Sequence, residues 1–126
     1  MNVDETNQKI VESVKEALGL VSGDLSFDTE LLIQISSALA TARQAVNINP
    51  VLLTTETVWA DLFTSGSNTS DIFPIVAMYV FTKVKLIFDP PAPSAINTYK
   101  ELEKELIWRL EITNSEEMGD TSGEHK

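Results

Sequence analysis

Cysteine is absent from this chain, and histidine occurs once, as His125 next to the last residue. Without thiols there is no disulfide framework, no thiolate nucleophile and no cysteine-based zinc site. That absence suits a reducing compartment. Positive charge is also scarce: nine Lys and Arg stand against nineteen Asp and Glu, for a formal charge of -10 and a pI near 4.4. Tight nucleic-acid binding needs clustered Lys and Arg to neutralise phosphates, and an anionic membrane surface makes the same demand. Neither fits this charge balance. The start, Met1-Asn2-Val3-Asp4-Glu5, lacks the basic-then-apolar pattern of a secretory signal. The longest apolar stretch, 72–88, is interrupted by Pro74, Thr82, Lys83 and Lys85. It falls short of the roughly 20 apolar residues that a membrane span needs. The expectation is a soluble, intracellular chain with no membrane partner.

What is present reads as helices. The length of 126 residues allows one domain with a core, and 43% hydrophobic with 22% charged residues is ordinary globular composition. A first helix is expected over 4–18, with Ile10, Val14 and Leu18 on one face, Lys15 and the glutamates outside, and Gly19 as its stop. A second begins at Ser26 or Asp28 and buries Leu31, Ile35, Ala38, Leu39, Ala42 and Val46. Residues 51–55 fit a short extended segment or a buried loop. A short helix over 55–63, capped by Thr54 or Thr55, precedes a polar loop at 64–70. Asp71 is expected to cap a third helix, with Pro74 in its first turn. Apolar residues cover nearly every side of that helix, so it is either central or covered by neighbouring subunits. Asp89-Pro90-Pro91-Ala92-Pro93 ends it. A last helix, capped by Ser94, runs to about Ile112 with Ile96, Tyr99, Leu102 or Glu103, Leu106 and Leu110 inward and a Glu105–Arg109 pair outside. Ile107 and Trp108 lie off that stripe as a second apolar surface. The fold class is all-α: a small bundle of four main helices plus a short one over 1–112, with a disordered acidic tail over 113–126.

No residue pattern supports catalysis. His125 reads as a solvated tail residue, and Asp71 and Asp89 as turn or cap residues at opposite ends of one helix. That helix separates them by about 25 Å at 1.5 Å per residue, too far to share a cation. No Gly-x-Ser-x-Gly elbow or phosphate-cradling Gly-rich loop is present. The Asn68-Thr69-Ser70 sequon reads as chance. Lys83 and Lys85 either line a DNA path or, as the simpler reading has it, snorkel and pair with Glu103 or Asp89. No catalytic, cofactor-binding or metal-binding residue is expected.

Three segments carry a family resemblance: Thr57-Val58-Trp59-Ala60-Asp61, then Tyr79-Val80-Phe81-Thr82-Lys83-Val84-Lys85-Leu86-Ile87-Phe88-Asp89-Pro90-Pro91, then Leu106-Ile107-Trp108-Arg109-Leu110. With the order of elements, they resemble the head–tail connector (adaptor) proteins of long-tailed bacteriophages. The resemblance implies a non-enzymatic ring of about twelve subunits beneath the phage portal. Such a ring extends the channel for genomic DNA without reading its sequence, and docks a stopper or tail protein. It implies a place in the virion, assembly in the host cytoplasm, and a C-terminal segment that engages the portal. The protein-interface residues expected are Trp59, Tyr79, Phe81, Ile107, Trp108, Glu111 and Ile112. The competing reading is a small intracellular helical interaction or regulatory module with no virion role.

Overall fold

The computed structural model describes residues 3–21, 23–64 and 69–123, with side chains described over 5–114 of these. Its helices are α1 (Ile10–Leu18), α2 (Asp28–Ala45), α3 (Thr69–Phe88) and α4 (Pro93–Gly123). Two 3₁₀ turns, Val3–Asn7 and Trp59–Leu62, complete the secondary structure, and no strand occurs among the described residues. The all-α expectation of four main helices and a short one is what the chain adopts.

α3 is the axis of the bundle, packed by α4, α2 and α1. Ile72, Phe73, Val76, Tyr79, Val80 and Val84 are buried there, while Met78 and Ile87 stay exposed at 46% and 52%. Its all-round apolarity is thus spent largely inside one subunit. α2 buries Leu31, Ile35, Ala38, Leu39 and Ala42, the stripe expected, and its small residues let α3 approach closely. α1 stops at Gly19, whose φ of 79° lies in the left-handed region where a side chain would be strained. Leu20 N–H reaches back to the Lys15 carbonyl at 2.8 Å, closing the helix end.

Several boundaries differ from expectation, each for a physical reason. The first helix does not run unbroken from residue 4: a 3₁₀ turn ends at Asn7 and α1 starts at Ile10. Between them Lys9 forms an isolated antiparallel bridge with Val58. Ile10 N–H donates to the Thr57 carbonyl at 2.9 Å, and Trp59 N–H to the Gln8 carbonyl at 3.2 Å. A distant segment takes the backbone groups that a continuous helix would have used. Asp61 accepts from Val58 N–H at 3.1 Å, so the short helix contracts to the 3₁₀ turn Trp59–Leu62. α3 begins at Thr69, placing Asp71 in its first turn rather than at the cap, and Pro74 inside the helix. The bond that Pro74 cannot make would end on the Ser70 carbonyl, and Ser70 is exposed to water. α4 opens on Pro93 rather than after a Ser94 cap, because proline's fixed φ and missing N–H suit a first helical position. Its helical backbone continues past Ile112 to Gly123. The expected loose acidic tail falls mostly where side chains lie outside the described residues, as do Asn68 and His125.

Lys15 is the clearest correction. Expected outside, it is fully buried, with Nζ 2.7 Å from Asp28 Oδ1 and 3.7 Å from Glu12 Oε2. The charge is tolerated because two carboxylates, half-buried themselves, close over it. Asp28 sits in the first turn of α2, so the pair fastens the end of α1 to the start of α2. Its carboxylate also complements the positive N-terminal end of that helix.

Candidate protein-interaction surface

Trp59 is brought against α1 by the Lys9–Val58 bridge, which aims its ring at the bundle. The indole is 1% exposed, and its Nε1–H donates to Ser13 Oγ at 2.9 Å. Phe73 and Phe81 pack on it with ring centroids at 5.5 Å and 6.1 Å. The large ring therefore carries no unsatisfied donor into the core. Tyr79 is likewise 1% exposed, and burial pushes its hydroxyl pKa up. Both residues, expected at an interface between proteins, are placed inside the subunit.

Phe81 is different. It is half-buried and stands between two open grooves. One, of about 240 Å³, runs between α1 and α3, with Phe73, Ala77 and Phe81 at its base and Glu5, Gln8 and Glu16 at its edge. The other, of about 280 Å³, is lined by Leu18, Met78, Phe81, Tyr99 and Leu102. With the exposed Met78, they form an apolar strip across three helices. Ala17 and Met78 are small or unbranched, and no pattern in the sequence marks them as surface. Only the tertiary arrangement of α1 against α3 reveals them.

The expected pairing of Ile107 and Trp108 as one surface separates in three dimensions. Ile107 is half-buried against the core, whereas Trp108 is 59% exposed on the opposite side of α4 from Leu106 and Leu110. Glu111 is exposed beside it and Ile112 half-buried. The exposed Arg109 is held by Glu105, Nη2 to Oε2 at 2.7 Å. Exposed pairs of this kind contribute about 0.3–0.5 kcal/mol.

The cations are mostly neutralised in place. Lys83 meets Glu103 at 2.8 Å between α3 and α4, and Lys85 meets Asp89 at 2.8 Å. Hydrogen bonding to those carboxylates raises both lysine pKa values. These are the pairings expected from the sequence in place of a DNA-facing role. Lys9 pairs with Glu56 at 3.1 Å. Among the described residues, Arg43 and Lys100 stand outside the ion pairs, so no basic face forms. No group of three or more Asp, Glu or His among the described residues is arranged to hold a metal ion. No described helix is long and apolar enough to cross a membrane.

What this arrangement leaves open is an apolar strip at α1–α3–α4 and a projecting indole on α4. No curated protein and no solved structure matches the chain. A family model does match residues 10–117, from the first residue of α1 well into α4, and its description is phage connector protein. The match takes in all of α1, α2 and α3 and the greater part of α4, and the chain belongs to the phage connector protein family.

Proposed function

We propose that this phage connector acts as an adaptor at the head–tail interface of the virion, working by assembly and not by catalysis. It adds as a ring of about twelve subunits beneath the portal, extends the DNA channel and docks the stopper or tail protein. Assembly takes place in the host cytoplasm. The segment beyond Ile112 engages the portal. Genomic DNA passes without sequence-specific binding, because a net charge of -10 gives phosphates little to adhere to.

The observation that supports this reading best is Trp108. A subunit that has already covered its core still projects a large aromatic side chain, 59% exposed, from its longest helix. Exposed aromatics of that kind serve as anchors in protein interfaces. The test is electron microscopy of the full chain mixed with portal particles of the same phage. A ring bound beneath the portal is expected. Portal particles that remain bare at saturating chain concentration would sink the proposal.

A further inference from the structure

Two surface features find no occupant among the described residues, and they complement each other. The first is the groove beside Trp59. Its base is apolar, Phe73, Ala77 and Phe81, and its rim carries Ala17 with the exposed carboxylates of Glu5 and Glu16. Among the described residues, no cation lines it. At about 240 Å³ it is smaller than the roughly 300–1,000 Å³ of small-molecule sites, and it suits one large side chain. The second is a stripe on the outer side of α4. Lys100, Lys104 and Trp108 recur every four residues and so share one side of the helix. Lys100 is exposed and outside the ion pairs. Lys104 is 79% exposed and reaches Glu101 only at 3.8 Å.

We propose that Trp108 of one copy seats in the Glu5–Glu16 groove of a second copy, with Lys100 and Lys104 turned toward the acidic rim. The contact rests on the self-association proposed above and gives it a geometry. Seating removes the indole and the ring of Phe81 from water together. The indole N–H exchanges water for a carboxylate acceptor at the rim, so it is not stranded on burial. Glu101 and Glu111 flank the stripe, so charge complementarity is local to the lysines and does not extend over the whole face. Knob and groove are different patches of one chain. Such a contact is heterologous: it propagates head to tail and closes as a ring where the rotation permits.

A chain without cysteine is suited to a crosslinking test. Glu16→Cys and Lys104→Cys chains, each full length, are mixed in equal amounts at high concentration and mildly oxidised. The mixed dimer is expected to exceed its statistical share, twice either homodimer, by about a further tenfold, corresponding to ~1.4 kcal/mol of preference. Adding Trp108→Ala to the Lys104→Cys chain, or Ala17→Trp to the Glu16→Cys chain, is expected to abolish that excess. Trp108→Phe should retain most of it, and circular dichroism should show unchanged helicity for each variant. A statistical mixture of dimers, or an excess that survives Trp108→Ala, overturns the contact. The portal mixture separates this inference from the reading beneath it. Rings that still form with Trp108→Ala remove the contact and leave the adaptor, whereas no rings with the unaltered chain remove the adaptor itself.

Discussion

The two tryptophans of this chain occupy opposite physical situations. Trp59 is enclosed by Phe73 and Phe81, hydrogen-bonded to Ser13, and held in place by backbone pairing to the residues before α1. Trp108 stands on the outer side of α4 among Lys104, Arg109 and Glu111, with more than half its surface in water. One spends its apolar area on the fold; the other leaves it available. Mutations at the Trp59 corner should therefore be read in stability, and mutations at the outer side of α4 in assembly.

The largest effect is expected at Trp59. Trp59→Ala should destabilise by about 3–5 kcal/mol through lost burial and the cavity left behind. In thermal unfolding that is a fall in Tm on the order of 10 °C or more. A change below about 1 kcal/mol would show that the corner collapses without cost, and would erase the contrast with Trp108.

The buried ion pair comes next. Lys15→Met leaves the Asp28 and Glu12 carboxylates without their cation and should cost roughly 3 kcal/mol. The double change Lys15→Met with Asp28→Leu should recover much of that loss, because replacing both charges removes the desolvation cost as well. Denaturant melts of the single and double variants check this. The pH dependence has a definite sign. The hydrogen bond from Asp28 raises the folded-state pKa of Lys15 above its ordinary value of 10.5. The stabilisation is fully present below 10.5 and is lost as pH rises through the higher folded value. Melts between neutral and strongly alkaline pH should show a falling limb above that point which Lys15→Met lacks.

Lys15 also shows where sequence reading gives out. The α2 stripe from Leu31 to Ala42 was legible because period and burial are set by the same local geometry. The end of α1 at Gly19 was legible because a left-handed residue is a local requirement. Lys15 occupies a position whose type says surface, and only the arrival of Asp28 from the next helix makes its burial tolerable. The break at Gln8–Lys9 has the same cause, since its partners are the carbonyl and N–H groups of Thr57 and Trp59. For the interaction surface, the outward position of Trp108 follows from its offset from Leu106 and Leu110. The groove does not, because Glu5, Ala17, Ala77 and Phe81 come from segments that meet only after folding.

Ser13→Ala isolates one component of the Trp59 corner. It removes the acceptor for a buried indole N–H while leaving the packing nearly intact. The expected cost is about 1–2 kcal/mol, since a buried donor left unpaired loses its water without compensation. Chemical denaturation of Ser13→Ala and Ser13→Thr, the second keeping a hydroxyl, separates the hydrogen bond from the shape of the site.

The smallest effect on stability should come from Trp108, and its smallness is the point. Trp108→Ala removes a side chain that is mostly solvated, so the melting curve should move by no more than about 0.5 kcal/mol. The same change should still impair assembly on the portal, because truncating a central aromatic anchor costs far more at an interface than on a free surface. A stability loss comparable to that of Trp59→Ala would place Trp108 in the fold after all. Full assembly with an unchanged melt would leave α4 with an exposed aromatic that serves neither fold nor partner. Loss of assembly at constant stability is the one combination in which the two tryptophans divide the work, one building the subunit and the other joining subunits or partners.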